Sequence, residues 1–226
     1  MRCGNMDLQM WRYAFWTVVG YLSGSVLYAY FLPKWIKHVD VTELSDDGNP
    51  GTANAFKYGG VPLGIVVIFC ELLKGCLPVY LAAHRLGVEH WMFFLCMIAP
   101  IIGHAHSLFV PGKGGKAIAV SFGVLMGLYP IVAPLGILIF FYLFYSLVVV
   151  IQPHLFRSLV TFICYSISCV LTLHETIVVL GCLMMSVIVI AEHLRKYGGE
   201  KFSMSLFPLL KRGREVPEQT ELEQES

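Results

Sequence analysis

Charged residues are scarce in this chain of 226 residues. Asp, Glu, Lys and Arg make up 14% of the sequence, hydrophobic residues make up 57%, and the mean hydropathy is +0.69. A soluble domain carries about 25% charged residues, so the composition excludes an ordinary soluble protein. Runs of about 18 or more nearly uncharged residues recur, which is typical of helices that span a bilayer. The sequence therefore predicts an all-α, polytopic membrane protein.

Motifs for metal and nucleotide binding are also missing. The seven cysteines fall mostly inside apolar runs without the spacing of metal ligands, so we interpret them as small buried residues. No glycine-rich loop ends in Lys-Ser or Lys-Thr, as a nucleotide-binding loop would. We expect no metal, no cofactor and no nucleic-acid partner. No internal repeat is present, which weakens an interpretation as a transporter built from inverted halves.

Hydropathy predicts about seven transmembrane helices. The fourth is short for a full crossing, so we expect it to be half-buried or strongly tilted. The segments cover residues 14–32, 61–83, 91–110, 117–128, 131–151, 159–173 and 176–193.

The distribution of lysine and arginine predicts the orientation of these helices. If the N-terminus lies outside, twelve of these cations fall on the inner side and three on the outer, with Lys74 inside a span. Positive charge favours the cytoplasmic side, so the C-terminus is expected to be cytoplasmic. Residues 1–201 are predicted to form a single integral-membrane domain. Residues 202–226 are predicted to be a cytoplasmic interfacial segment followed by a disordered acidic tail.

The most informative motif is the lysine turn, residues 111–116, which reads Pro-Gly-Lys-Gly-Gly-Lys. Small residues leave backbone N–H groups accessible to an anion, and Lys113 and Lys116 add positive charge. A helix predicted from Ala117 onward adds the positive end of its dipole. This turn is thus a candidate site for phosphate or an anionic headgroup.

Three further polar clusters lie on the same predicted side or near it. The loop at residues 45–54, followed by Lys57, is either an ordinary turn or a site for a polyhydroxyl or phosphate ligand. Glu71 and Lys74 are three residues apart within a span, where charges cost roughly 2.5–3.5 kcal/mol each. They form either a structural salt bridge or part of a site. His104 is either an interfacial residue or a proton donor near the lysine turn.

The last cluster, residues 192–201, follows the final span. Taken alone, it favours a basic cytoplasmic anchor. The alternative is that His193 or Glu200 forms a wall of the same cavity as the lysine turn.

In order and spacing, these clusters resemble the acyl-phosphate glycerol-3-phosphate acyltransferases of bacterial membranes, the PlsY type. The family pattern has Gly-Ser in the first span and Gly-Ser-Gly-Asn-x-Gly-Ala-Thr-Asn in the first loop, with an arginine after it. Asp-Leu-Leu-Lys-Gly, Gly-His, Gly-Gly-Lys-Gly-Val-Ala-Thr, His-x-x-Asn and Gly-x-Glu follow. The matching residues here are Gly24-Ser25, Gly48-Asn49-Pro50-Gly51 with Asn54, Glu71-Leu72-Leu73-Lys74-Gly75, Gly103-His104 and Gly114-Gly115-Lys116-Ala117-Ile118-Ala119.

The chain departs from this pattern at several positions. Asp46 and Asp47 stand where the family has glycine and serine, and Ser45 lies two residues before Asp47. Lys57 replaces the arginine after the loop, which keeps the charge but loses the bidentate fork. In the closing segment we place His193 where the family has asparagine.

The resemblance implies transfer of a fatty acyl group from acyl phosphate to glycerol 3-phosphate, which gives lysophosphatidate for phospholipid synthesis. It implies a multi-pass protein of the bacterial plasma membrane with a cytoplasmic active face. The implied partners are both substrates, membrane lipid and an enzyme that produces acyl phosphate.

The residue roles follow from the same resemblance. Catalytic roles are expected for His104, Lys116 and His193, and structural roles for Glu71 and Glu200. Substrate-binding roles are expected for Ser45, Gly48, Asn49, Gly51, Asn54, Lys57, Lys74, Lys113, Gly114 and Gly115. Two alternatives stay open: a divergent enzyme that acylates a different acceptor, since Asp46 and Asp47 suit a neutral or cationic one, and a non-catalytic membrane protein that binds lipid phosphate.

Overall fold

The computed structural model describes residues 2–45 and 47–206. This part of the chain is mostly helical. Its helices are α1 Arg2–Ser25, α2 Tyr28–Lys37, α3 Val41–Leu44, α4 Thr52–Gly59, α5 Val61–Leu86, α6 Phe93–Ala105, α7 Ile118–Met126, α8 Ala133–Leu143, α9 His154–Thr172 and α10 Thr176–Arg195, with a π-helical turn at Phe144–Val148. Two short strands, β1 Val149–Gln152 and β2 Ser203–Leu206, complete it.

Within residues 2–45 and 47–206, four helical stretches are long and apolar enough to cross a membrane: Leu8–Lys37, Val61–Leu86, His154–Thr172 and Thr176–Arg195. Two shorter apolar stretches are Phe93–Ala105 and Ala133–Val148. The nine residues of α7 extend only about 14 Å at 1.5 Å per residue, against a hydrocarbon core of about 30 Å. The expectation that the fourth segment is short is confirmed, whereas the count of seven crossings stays a prediction.

Large apolar side chains cover much of the surface of the bundle. Trp11 is 74% exposed, Phe69 is 61% exposed and Leu171 is 77% exposed. Side chains of this size exposed on several helices are unfavourable in water but match the hydrocarbon of a bilayer. The lipid-facing surface and the buried core are therefore both apolar.

The helices pack closely against one another at the end of the bundle that carries the polar loops. α1 packs along α6, α5 packs along α7, and α10 packs against both α6 and α9. A Cβ atom at Gly103 would overlap the carbonyl oxygen of Tyr21, so glycine lets α1 and α6 approach each other closely. The glycine before His104 thus serves packing.

The expectation of one helix across residues 131–151 is wrong at its C-terminal end. α8 and the π-helical turn stop at Val148, and β1 pairs antiparallel with β2, with Val149 opposite Leu206 and Gln152 opposite Ser203. The β-branched run Val-Val-Ile favours a strand, and Pro153 disfavours helix at the residue before it.

The segment after residue 201 is described only in part. Ser203–Leu206 is the strand β2, and its side chains are exposed. The remainder of the predicted interfacial segment and the acidic tail, residues 207–226, lie outside the described residues, as does Asp46.

Candidate active site

Two loops that are about seventy residues apart in sequence meet at one place. The Lys116 Nζ atom lies 2.7 Å from the Asp47 Oδ2 atom. Lys196, which follows α10, donates to Asn49 Oδ1 at 3.0 Å and to the carbonyl oxygen of Gly114. The first loop, the lysine turn and the end of the last helix therefore form one cluster.

The C-terminal end of α6 holds the lysine turn in place. A Cβ atom at Gly114 would overlap the carbonyl oxygen of Ala105, so only glycine fits there. The N–H group of Gly115 donates to the His104 carbonyl oxygen at 3.0 Å, so this N–H is not available to an anion, contrary to the expectation of accessible backbone. Ala117 adopts a left-handed conformation, with φ 62°, and α7 begins at Ile118. The predicted helix start is thus confirmed within one residue.

The two lysines of the turn have different partners. Lys113 donates to Thr42 Oγ1 at 2.6 Å and lies 3.5 Å from Asp40 Oδ2, with its ammonium 4.5 Å from the centre of the Tyr30 ring. Burial raises the pKa of Asp40, but hydrogen bonds from Thr42 and Lys34 and the charge of Lys113 lower it well below its usual value. Lys113 therefore ties the turn to α2 and α3, while Lys116 points elsewhere.

Asp47 organises the first loop. Its Oδ1 atom accepts from the Asn49 N–H at 3.2 Å and from Asn54 Nδ2 at 3.3 Å, and Asn54 Nδ2 also donates to the Asn49 carbonyl at 2.8 Å. Burial raises the pKa of Asp47, but the hydrogen bond and charge of Lys116 and the amide donors outweigh it, so the pKa is lowered. Asp47 is thus a carboxylate held in an ion pair.

A cavity of about 290 Å³, here called the polar lobe, opens beside this ion pair. Its walls come from the first loop and α4, the lysine turn, the start of α9 and the end of α10. Its polar lining residues are Asp47, Asn54, Lys57, Tyr58, Lys116, His154, His193, Lys196, Tyr197 and Glu200. This volume is near the lower end for ligand sites, about 300 Å³.

A second cavity of about 270 Å³, the apolar lobe, shares Asp47, Asn54, Lys116, His154 and His193 with the polar lobe. From this shared wall it runs between α5, α7 and α8. The side chains that line this part are Ile68, Ile118, Phe122 and Tyr142. Asn49, Gly51, His104 and Arg157 also line the apolar lobe. A polar chamber and an apolar chamber thus meet at Lys116.

His193 stands on the wall between the lobes. Its Nδ1 atom lies 2.8 Å from the Val189 carbonyl, which can only accept, so Nδ1 carries a proton. In the neutral ring, Nε2 then accepts from the Ser158 hydroxyl at 2.9 Å. The ring is held at both nitrogens, and its proton-accepting atom is on the Ser158 side.

Glu71, Lys74 and His104 form a buried network beside the site. Lys74 Nζ lies 2.7 Å from Glu71 Oε2 and 2.9 Å from His104 Nδ1, and it donates to the Val26 carbonyl at 2.7 Å. His104 Nδ1 also lies 3.1 Å from Glu71 Oε2, so this atom can accept from Lys74 or donate to Glu71. A Cβ atom at Gly115 would fall beside His104 Nε2, so Nε2 faces the lysine turn.

Lys196 has an unusually low pKa for a lysine. Burial and the charge of Arg195 lower the pKa of Lys196 to about 8, against the opposing effects of Glu192 and Asp47; Lys116 lowers it further. Its hydrogen bonds go to two neutral oxygens, those of Asn49 and Gly114. A lysine side chain with this pKa is partly deprotonated just above physiological pH.

The structure brings together eight of the predicted site residues and places the others around them. Asn49, Gly51, Asn54, Lys57, His104, Lys116, His193 and Glu200 line one or both lobes. Ser45, Gly48, Glu71, Lys74, Lys113, Gly114 and Gly115 line neither of these two lobes in the described part of the chain. The substrate-binding roles predicted for members of this second set stay predictions, and their positions favour support of the site.

Three basic lining residues are new relative to the sequence prediction: His154, Arg157 and Lys196. His154 and Arg157 lie in the first turn of α9 after Pro153, a position typical of a helix start. A cation at a helix start on the predicted inner side could have indicated a site residue from the sequence. Lys196 is part of the cluster interpreted as a membrane anchor, and the structure places that cluster on the cavity wall instead. No group of three or more His, Cys, Asp or Glu side chains is arranged to hold a metal within residues 2–45 and 47–206.

Comparisons with known proteins agree with this architecture. A family model described as glycerol-3-phosphate acyltransferase matches residues 14–198. A glycerol-3-phosphate acyltransferase of Shewanella halifaxensis (strain HAW-EB4) is 38% identical over 120 residues, which are 53% of this chain and 56% of the relative. The protein of that name from Thermotoga petrophila is 34% identical over 108 residues, which are 48% and 54% of the two chains. The matching part of the chain thus spans about half the length of these curated relatives.

The fold is also similar to a solved structure. The crystal structure of PlsY (YgiH), an integral membrane glycerol 3-phosphate acyltransferase, in its glycerol 3-phosphate form, has a TM-score of 0.71 at 23% identity. The similarity covers 81% of this chain and 88% of that chain. Since the family model covers far more than half of the sequence, the chain belongs to the glycerol-3-phosphate acyltransferase family.

Proposed function

We propose that this protein transfers a fatty acyl group from acyl phosphate to glycerol 3-phosphate and releases lysophosphatidate and inorganic phosphate. One observation carries the proposal: the polar lobe and the apolar lobe meet at Lys116 and His193. The reaction needs such a junction, because it joins a small polar anion to a long apolar chain. The family membership and the names of the relatives support the same activity.

The lobes divide the substrates between them. Glycerol 3-phosphate occupies the polar lobe, where Asn54, Lys57 and Lys116 surround its hydroxyl and phosphate groups. The acyl chain extends from the shared wall along Ile118 and Phe122 and leaves the apolar lobe toward lipid, since a cavity of about 270 Å³ is too small to enclose a whole fatty chain.

The chemistry rests on position and charge. Acyl phosphate is already activated, so the acceptor hydroxyl oxygen attacks the carbonyl carbon directly, the bond between that carbon and the phosphate oxygen breaks, and inorganic phosphate leaves. The hydroxyl proton passes to the leaving phosphate, since the one acceptor atom of neutral His193 already accepts from the Ser158 hydroxyl. Lys116 stabilises the negative charge that develops at the carbonyl oxygen and the leaving group, together with His104 when its Nε2 atom carries a proton.

We also propose the full membrane topology. The seven apolar segments cross with the N-terminus outside, which puts the first loop, the lysine turn, the start of α9 and the end of α10 on the inner side. These four segments build the polar lobe, and Lys57, Lys116 and Lys196 give it the positive charge that favours the cytoplasmic face. The proposed location is the bacterial plasma membrane, with acyl phosphate delivered by an enzyme that produces it.

An assay with the purified full chain tests the proposal. The protein is incubated in detergent or lipid nanodiscs with acyl phosphate and glycerol 3-phosphate, and both inorganic phosphate and lysophosphatidate are measured. Equimolar appearance of the two products is expected. Release of phosphate without lysophosphatidate, or neither product from folded protein, would contradict the proposal.

Asp47 favours a second candidate, an acyltransferase for a neutral or cationic acceptor, because its carboxylate faces the polar lobe and would repel a phosphate. A panel containing glycerol 3-phosphate, glycerol and amino alcohols separates the two. Turnover of an uncharged or cationic acceptor alone would replace the first proposal with the second. Binding of lipid phosphate without turnover would favour the non-catalytic alternative.

A further inference from the structure

We propose that Lys196 is the cation that selects an anionic acceptor in this site, because Asp47 already occupies Lys116. The inference deepens the proposed function: it assigns the acceptor to the class of phosphate monoesters and names the residue that determines this choice. It depends on the contacts among Asp47, Lys116 and Lys196 and on their common position in the polar lobe.

Asp47 and Lys116 form a partly buried ion pair. The two charged groups are 2.7 Å apart, and their side chains are only 28% and 16% exposed. At this distance the carboxylate cancels most of the field that Lys116 would present to a second anion. Lys116 with Asp47 therefore contributes little net charge to the polar lobe.

Lys196 has no carboxylate among its hydrogen-bond partners in the described part of the chain. Its ammonium contacts the Asn49 side-chain oxygen and the Gly114 carbonyl oxygen, both of which are uncharged. It lines the polar lobe together with Asp47, Lys57, Lys116 and Glu200, and these five charged residues sum to +1. Without Lys196 that sum would be zero.

Two departures from the family pattern fall in the polar lobe. Asp47 replaces a neutral serine, and His193-Leu194-Arg195-Lys196 fits His-x-x-Asn with lysine at the asparagine position. This register differs from the expectation that His193 replaces the asparagine. The two departures add one negative and one positive charge to the same cavity. Together they leave the charge unchanged, so an anionic acceptor remains favoured and a cationic one does not.

Equilibrium binding tests this without any need for turnover. The affinity of the full chain in nanodiscs for glycerol 3-phosphate is measured by calorimetry at pH 7, with glycerol as the uncharged control ligand. Lys196→Gln keeps hydrogen-bond donors but removes the charge, and it is expected to weaken binding at least about tenfold. Lys196→Arg is expected to stay within about threefold of wild type, since the charge is kept.

Two further variants test the compensation. Asp47→Ser should bind about tenfold tighter or more, because Lys116 is released, and Asp47→Ser with Lys196→Gln should return to within about threefold of wild type. Lys201→Gln removes a charge from the exposed segment after α10 and lines neither lobe, so it is the matched control, with no change expected. If Lys196→Gln proves unfolded by thermal denaturation, Asp47→Ser alone still decides, because weaker binding there contradicts the proposal.

The results separate this inference from the proposed function. Binding that depends on Lys196 without any turnover would support the inference and contradict the proposed reaction. Wild-type turnover with Lys196→Gln binding within twofold of wild type would overturn the inference and leave the reaction standing. Equal losses in Lys196→Gln and Lys196→Arg would also overturn it, since they would indicate a structural link between loops. Preferential binding of glycerol by wild type would overturn it as well.

Discussion

Replacement of Lys116 by alanine should reduce kcat/KM by about three to four orders of magnitude. Loss of a charge-assisted hydrogen bond to the substrate phosphate costs about 1.5–3 kcal/mol. Asp47 then loses its counter-ion, and an unpaired carboxylate about 5 Å from a phosphate adds about 3 kcal/mol of repulsion at an effective dielectric constant near 20. The sum, about 4.5–6 kcal/mol, corresponds to roughly 10³- to 10⁴-fold.

The second of these contributions can be removed separately. In Lys116→Ala with Asp47→Ser, the repulsion is absent, so kcat/KM should recover by roughly 100-fold or more relative to the single variant. Both variants are assayed for phosphate release with purified protein, after thermal denaturation has confirmed that they fold.

Lys113→Ala is the matched control, because Lys113 belongs to the same turn but contacts Asp40 and Thr42. A loss below about tenfold is expected there, since Lys113 supports the turn and does not contact the cavity. Wild-type turnover in Lys116→Ala would remove the lysine turn from the site. No recovery in the double variant would refute the argument that Asp47 acts through Lys116.

Three other predictions concern pH, packing and the buried charges. Because the pKa of Lys196 is lowered to about 8, the affinity for glycerol 3-phosphate should fall up to about tenfold as the pH rises from 7 to 9. This fall should disappear in Lys196→Arg. A wild-type affinity that does not change with pH would contradict the prediction. Gly114→Ala should lower the free energy of unfolding by about 1–3 kcal/mol, because the new Cβ atom would overlap backbone atoms of Ala105. The control, Gly136→Ala on α8, places its Cβ atom in open space and should cost nothing. Equal melting temperatures of the two variants would disprove the prediction. Glu71→Leu or Lys74→Met alone should destabilise the protein by about 3–5 kcal/mol, since each leaves the charge of its buried partner unpaired. The double replacement should destabilise the protein less than either single one. Additive losses, measured by thermal denaturation in detergent, would count against a structural pair.

The sequence was sufficient to predict the helical membrane fold, because hydropathy reports directly on long apolar helices. Asn49, Asn54 and Lys116 were expected to lie close together, since the loops carrying them fall on the same predicted side, and the three residues line one cavity. The strand at Val149–Gln152 was missed because an apolar run gives the same hydropathy in a helix and in a strand. Only its pairing with residues 203–206 distinguishes the two.

The electrostatics of the site depended on distances that a pattern does not contain. Asp47 was recognised as a departure that would repel phosphate, but the sequence did not indicate that Lys116 neutralises it. Lys196 is one of several cations after the last span, where a basic anchor is the ordinary interpretation. The turn at the end of α10 directs this one lysine, and not Arg195 beside it, into the polar lobe.

A structure of the full chain with glycerol 3-phosphate bound would be the most direct measurement. The phosphate is predicted to lie in the polar lobe, with oxygen atoms about 2.7–3.2 Å from the ammonium groups of Lys116 and Lys196 and the acceptor hydroxyl turned toward the apolar lobe. A phosphate bound outside this cavity, or bound there with neither lysine in contact, would contradict the proposed active site.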